Sequence, residues 1–379
     1  MSDQSRLVGL LEELARAGDG KFHRDDAINE LTGKTEMDEA RAARWLESVL
    51  SFDDRGFTYV QEESPLEVES FGGDVGGLRK PPGQVTGDDV HGLSVLAKPE
   101  GGHPLIPTTG EYFDRTLPHG DATDVEVLCQ TMADPEFNPL LIGEAGTGKD
   151  TLIRHVCAET NRPVVRVNFG SDVRYEDLVG MYTLDKDGGM SWEDGYLTKA
   201  VRYGWVFVAD ELNAAPPEST MPLHQVTEER RKASLVLRSR SETIDLHPQF
   251  RFVGTMNPVG GGYGGTNQLN DAFKSRFYAI QIDYLDQDRE ATLLAEQLGD
   301  DTPLDEAELS QLCGLAAELR DRHRASDLRT PVTTRELLKI GKLAETETME
   351  LSAAARTVLL GHVGESDERL VEDAIDAVL

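Results

Sequence analysis

Apolar residues recur along this chain at two different periods, and the changes of period mark its parts. Leu7, Leu10, Leu11 and Leu14 fall at helical spacing, residues 25–31 carry a second short helical pattern, and Ala40, Ala43, Trp45, Leu46, Val49 and Leu50 give an apolar side to a third. Residues 57–60 then read as a short strand. From Ser64 to about Gly110 the periodicity fades while glycine and proline become frequent, as in Gly72-Gly73, Pro81-Pro82 and Gly101-Gly102. That composition predicts a linker, or an arm that wraps the next domain. Between Tyr112 and Tyr284 short apolar runs at 139–142, 164–169, 205–209, 250–255 and 278–282 alternate with helical patterns. Such alternation predicts an α/β fold with a mostly parallel sheet. Within it, 234–238 and 243–246 alternate apolar and polar residues about a polar turn and predict an inserted hairpin. Beyond Asp286 the pattern is helical to the end, with Leu293, Leu294 and Leu298, then Leu309 to Leu319, Leu337 to Ile340, and Val358 to Val378 as apolar sides. A helical lid over the rim of the sheet is the simplest arrangement.

The first apolar run of the sheet leads into Gly143-Glu144-Ala145-Gly146-Thr147-Gly148-Lys149-Asp150-Thr151. Strand, glycine-spaced turn, lysine and amphipathic helix follow in the order of a phosphate-binding loop. The glycines let backbone N–H groups curl round an anion, the helix N-terminus adds positive dipole, and Lys149 can reach the outer phosphates. The pattern breaks at Asp150, where Ser or Thr would hold Mg²⁺; Thr151 comes one position late. The Asp150 carboxylate either ligates the metal itself or adds repulsion near the β-phosphate, and the second case makes the chain a nucleotide-gated assembly module with little turnover.

Further on, Trp205-Val206-Phe207-Val208-Ala209-Asp210-Glu211 is a buried strand ending in two acids. It places Asp210 beside the Mg²⁺ and Glu211 where it can polarise an attacking water. The next strand ends in Thr255-Met256-Asn257-Pro258, which makes Asn257 the candidate for orienting that water. The alternative is an asparagine that only satisfies the turn before Pro258. Arg276 ends a short helical pattern just ahead of a strand and is the candidate arginine finger for a neighbouring subunit's nucleotide, with Lys274 competing for the role. Arg335, at the helix start after Pro331, could reach back from the lid to the phosphates. ATP and Mg²⁺ are therefore the expected ligands. The predicted division is a small helical domain at 1–63, a linker or arm at 64–110, an α/β nucleotide-binding domain at 111–285 and a helical lid at 286–379.

Composition narrows the partners. With 38 Lys+Arg against 69 Asp+Glu the 379-residue chain carries a net charge of −31, which repels phosphate backbones and anionic lipid. Nucleic-acid binding is disfavoured, and the helical domain at 1–63, whose order fits either a winged helix or a protein-docking module, reads as a protein-interaction or purely structural unit rather than a DNA reader. The dispersed acidity suits a salt-loaded, halophilic cytosol as well as an ordinary acidic cytoplasmic protein. Cys129, Cys157 and Cys313 are far apart without CxxC spacing, which suggests neither disulfides nor zinc. The polar start of the chain and strand-sized apolar runs predict a soluble, cytoplasmic protein with no membrane role.

The ordered set of the 143–149 loop, Asp210-Glu211-Leu212-Asn213, Thr255-Met256-Asn257-Pro258, 272–277 and 333–336 resembles the MoxR-like branch of the AAA+ ATPases, of the dynein-related type. Within that branch it is similar to the small ATPase subunits of cobaltochelatases. The resemblance runs from about Tyr112 to Leu360 and includes Arg166-Val167-Asn168 with Asp177-Leu178-Val179-Gly180, the segment 195–200, which looks like the end of a helix-two insert, and a pre-sensor hairpin at 234–246. It implies a P-loop NTPase fold and a homo-hexameric ring that hydrolyses ATP and works on a protein client. A von Willebrand A-type protein is among the partners it implies, and metal insertion or enzyme-complex maturation is the work. The family has Thr or Ser where Asp150 stands, and the first 110 residues match no recognised part of it.

Overall fold

The computed structural model describes residues 21–23, 28–29, 32, 57–59, 78–108, 112–118, 120–169, 173–184, 190–215, 217–258, 269–299, 302–344, 349–361, 363–364 and 366–379. They belong to two compact units, Met1–Glu67 and Val68–Leu379. In the first, β1 (Lys21–His23) pairs antiparallel with β2 (Phe57–Tyr59), which falls on the strand predicted at 57–60. Ile28 and Asn29 are helical, within the second predicted helix. The first and third predicted helices, and with them the choice between winged helix and docking module, lie outside the described residues, as does most of the Gly/Pro-rich stretch before residue 78.

In the second unit the chain runs β3 (Val85–Val90), β4 (Leu93–Leu96), α1 (Asp124–Ala133), β5 (Pro139–Ile142), α2 (Lys149–Glu159) and β6 (Val164–Asn168). It continues with α3 (Tyr175–Val179), β7 (Gly180–Leu184), β8 (Met190–Asp194), α4 (Tyr196–Tyr203), β9 (Val206–Asp210) and α5 (Pro217–Val226). Next come β10 (Ser234–Leu237), β11 (Glu242–Asp245), β12 (Arg251–Met256), α6 (Asp271–Lys274) and β13 (Tyr278–Gln281). The helices α7 (Gln287–Leu298), α8 (Glu306–Arg324), α9 (Thr334–Ala344), α10 (Leu351–Leu360) and α11 (Glu368–Val378) end the chain.

Five of these strands form one parallel sheet in the order β13-β5-β12-β9-β6. They coincide, to within a residue or two at the ends, with the five predicted apolar runs. A parallel sheet is covered on both faces, so its strands read as continuous apolar runs whose side chains still alternate. Leu141, Val206, Val208, Val253 and Ile280 pack with α1 and α2 on one face, whereas Leu140, Val165, Val167, Phe207, Ala209 and Phe252 pack with α3, α4 and α5 on the other. The predicted insert is β10 paired with β11, Leu235 opposite Ile244.

Two hairpins were not foreseen. β3 and β4 pair across a turn at His91 and Gly92, both at positive φ, inside the stretch that reads as linker or arm. This segment holds the sheet tightly: Leu93 and Leu96 are buried, Leu96 N–H donates to Thr160 O (3.1 Å), and buried Arg162 donates to Ser94 O (3.0 Å). Trp205 Nε1 donates to Lys80 O at 2.9 Å, and Val164 N–H to Leu105 O at 2.8 Å, so the described part of the stretch wraps the sheet's edge. β7 and β8 form the other hairpin, Tyr182 opposite Trp192.

The C-terminal helices bury their leucines in a separate core built on Leu294, Leu312, Leu315, Leu319, Leu337, Ile340 and Ile375. Inside it Arg320 forms two hydrogen bonds to Glu290, at 2.7 and 2.8 Å, with both side chains nearly fully buried. Among the described residues no helix is long and apolar enough to cross a membrane.

Candidate functional site

β5 lies second in the sheet, and its C-terminal end opens into the glycine loop. Gly148 is left-handed (φ 82°) and is the N-cap of α2; a side chain with a Cβ is strained there. Gly146 is also left-handed, and any Cβ on it would lie 2.6 Å from the Thr333 Cβ, so the loop and the start of α9 touch. Lys149, the first residue of α2, donates from Nζ to Gly143 O (2.7 Å), Glu144 O (2.8 Å) and Asn257 Oδ1 (3.3 Å). Burial pulls its ammonium down to about 8, against the opposing pull of the Asp210 and Glu211 carboxylates; the Arg335 charge adds to the lowering.

The parallel register sets the acids beside the loop. Asn168 stands opposite Asp210 across β6 and β9, and Arg166 opposite Val208. Asp210 accepts from the Thr255 hydroxyl through Oδ1 and from the Arg166 guanidinium through Oδ2. Arg166 Nε lies 3.5 Å from Asp150 Oδ1, so one guanidinium spans both carboxylates. Glu211 follows β9 in a left-handed backbone conformation (φ 53°), exposed, with its N–H on the Thr255 hydroxyl (3.3 Å). Asn213 Nδ2 donates to Asn257 O (3.2 Å) and braces the end of β12.

These groups line one cavity of about 490 Å³: residues 145–151, Asp210, Glu211, Asn257 and Arg335 all reach its wall. Gly143 and Glu144 do not. Gly143 closes the loop onto β12 through its N–H on Met256 O (3.2 Å), and the Glu144 carboxylate turns toward His323, 3.7 Å away on α8. Arg276 also lies off the wall. Its guanidinium donates to His224 O and pairs with Glu228, both at 2.5 Å, on the α5 side of its own chain. Lys274 is 3.9 Å from Asp271.

Sequence reading missed the rest of the wall. Tyr112 and Phe113, ahead of α1, and Leu285, Leu293 and Leu338, from the lid, give it an apolar end beside the polar one. Leu293 was expected in the lid core and instead faces this cavity. Arg115, fixed by the fully buried Asp124 (2.9 Å), lies against Gly148. Tyr284 donates to Ala145 O (2.7 Å) and carries the Arg320 guanidinium 3.7 Å above its ring. A pocket with an apolar end for a flat ring, and at its other end a glycine loop, a lysine, two acids and an arginine, suits a nucleoside polyphosphate.

Known proteins share this arrangement in sequence. A model of the AAA domain of the dynein-related subfamily matches residues 138–277, from the start of β5 to the residue before β13. Over 259 residues the chain is 32% identical to protein NorQ of Paracoccus denitrificans (strain Pd 1222), which covers 68% of this chain and 88% of that relative. It is 30% identical over 235 residues to protein CbbQ of Hydrogenophilus thermoluteolus, covering 62% of this chain and 84% of the relative. The chain belongs to the MoxR-like AAA ATPases. The gas vesicle ATPase GvpN of Haloferax mediterranei is a further relative, 31% identical over 217 residues, 53% of this chain and 61% of that one. In this MoxR-like ATPase the match to the family model ends before the lid, so Arg335, Tyr284 and the apolar end of the cavity lie outside it. As a member of the family it binds and hydrolyses ATP.

Proposed function

We propose that this ATPase acts as a homo-hexameric ring, in the cytoplasm, that uses ATP hydrolysis to remodel or activate a client protein complex. The observation that carries the reading is the convergence of Lys149, Asp210, Glu211, Asn257 and Arg335, from four separate segments, on one cavity. Arg276, off that cavity and partly exposed on another side, suits a residue that serves a neighbouring subunit.

In this reading the loop amides and Lys149 hold the phosphates, and Glu211 takes the proton of a water that Asn257 orients toward the γ-phosphorus. Arg335 from the lid, and Arg276 from the adjacent subunit, stabilise the charge that spreads over the transferred group. Asp210 and Asp150 are the residues that would hold Mg²⁺. Their carboxylates are hard oxygen donors, and one or two such groups, completed by phosphate oxygens and water, suit this ion. Among the described residues no cluster of three or more His, Cys, Asp or Glu could hold a metal without such help. When bound, the ion neutralises phosphate charge.

The client is a multi-subunit protein, with a von Willebrand A-type protein as its adaptor; enzyme-complex maturation, metal insertion included, is the work such a cycle drives. The names of the relatives support an ATPase with a dedicated assembly, since one is called a gas vesicle ATPase. Mixing separately inactive Glu211→Gln and Arg276→Ala proteins tests the shared site. Partial recovery of turnover is expected from interfaces that combine the two intact residues; no recovery places both residues in one chain's own site and sinks the ring mechanism. Capture on Glu211→Gln in high KCl then identifies the client.

A further inference from the structure

The Arg166 guanidinium lies between the two carboxylates that the proposed function gives to the metal. It contacts Asp210 Oδ2 and stands 3.5 Å from Asp150 Oδ1. A Mg²⁺ held by both acids would lie about 2.0–2.1 Å from an oxygen of each, next to the oxygens that the guanidinium now faces. Two positive groups cannot share that space without strong repulsion. The arrangement also accounts for Asp150. A carboxylate at the start of α2 adds negative charge next to bound phosphates, and a guanidinium beside it offsets that charge.

We propose that Arg166 is an exchangeable counter-ion of the nucleotide site, competing with the metal for the gap between Asp150 and Asp210, so that metal entry requires the guanidinium to leave. The inference rests on the reading of Asp150 and Asp210 as the metal's ligands. Arg166 is 31% exposed at its side chain and lines the nucleotide cavity, where the phosphate oxygens of a bound nucleotide offer it alternative partners. The register of β6 against β9 holds its backbone fixed while the side chain exchanges. A device of this kind makes ATP binding sense divalent ion: with the metal scarce, the arginine keeps the acids from repelling the phosphates; with the metal present, it yields.

Two titrations on the full chain separate this from a merely structural role. Mn²⁺ affinity is measured by the electron paramagnetic resonance of free Mn²⁺ at saturating ADP, and ADP affinity by calorimetry in excess EDTA. In Arg166→Gln, Mn²⁺ is expected to bind about tenfold tighter, because a competing cation is gone, while ADP in EDTA binds severalfold more weakly, because two acids are unmasked. Arg166→Lys, whose single nitrogen cannot span both acids, is expected to tighten Mn²⁺ to a lesser degree, and it serves if the Gln variant does not fold. Unchanged or weaker Mn²⁺ binding, or shifts of the same sign in both titrations, overturns the proposal. Asp210→Asn and Asp150→Ala tell the two readings apart. If neither weakens Mn²⁺ binding, the assignment of the metal ligands is wrong; if both do and the Arg166 variants leave it unchanged, only the exchange is wrong.

Discussion

Glu211 has a left-handed backbone (φ 53°) at the mouth of a cavity, a conformation that costs a residue with a side chain roughly 1–2 kcal/mol. Strain of this kind persists where the surroundings over-determine it, and here β9 and the bond to Thr255 do so. Glu211 lines the cavity, and its carboxylate is near enough to oppose the lowering of the Lys149 ammonium. Glu211→Gln keeps the shape and removes the base, so ATP turnover is expected to fall roughly 10²–10⁴-fold with ATP affinity retained, measured by phosphate release and by calorimetry. Lys149 makes a pH prediction. Its pKa, lowered to about 8, means that the charge that binds phosphate is complete below about pH 7 and is lost as pH rises through 8, well before an ordinary lysine would lose it. ATP affinity should fall between pH 7.5 and 9.5, and binding near pH 8.5 should take up a proton, visible as a dependence of the calorimetric heat on buffer ionisation enthalpy. Lys149→Arg should flatten that profile. Glu211 was legible in the sequence because it follows an apolar run that ends in two acids, and Lys149 because it closes a glycine-spaced turn after one. Arg166 was visible only as part of a family-like segment, since its task depends on the pairing of β6 with β9, which no local pattern encodes.

At the scale of elements, the lid is joined to the loop by a chain of buried contacts. Thr334, at the start of α9 next to Arg335, donates to Glu290 Oε1 (2.6 Å); Glu290 on α7 holds Arg320 on α8; Arg320 lies on Tyr284, which bonds Ala145 in the loop. Arg320 also donates to Val332 O (2.7 Å), just before α9. Glu290→Ala leaves the Arg320 charge buried without its partner, and the expected loss is about 3–5 kcal/mol of unfolding free energy in a urea titration. The same variant should raise the KM for ATP more than it lowers kcat, because α9 and Arg335 lose their anchor. Periodicity foretold the helices but not this wiring: Glu290 and Arg320 fall at helix positions that read as ordinary charged residues. It also missed β3 and β4, whose polar Thr86-Gly87-Asp88-Asp89 run carries no alternation, and the β7–β8 hairpin. The inner sheet strands β5, β9 and β12, buried on both faces, gave the clearest signal.

For the molecule as a whole the deciding quantity is the charge of −31. Exposed ion pairs such as Lys232–Glu229 and Arg324–Asp321 contribute little each, and salt weakens them. Acids outnumber bases 69 to 38, so repulsion within a chain, and between chains that would meet in a ring, exceeds the attraction that salt removes. The Debye length shrinks from about 10 Å at 0.1 M to about 3 Å at 1 M, which screens most of this repulsion while leaving the buried Glu290–Arg320 pair intact. Raising KCl from 0.1 to 2 M should therefore raise the melting temperature and increase the molecular mass seen by light scattering, both in the same salt range. Replacing exposed acids of one face by glutamine should move both midpoints to lower salt together. A melting temperature that falls with KCl would mean that the surface pairs outweigh the excess acids; a mass that stays that of one chain while the melting temperature rises would confine the repulsion to the single chain and remove the charge-based reason for assembly in salt.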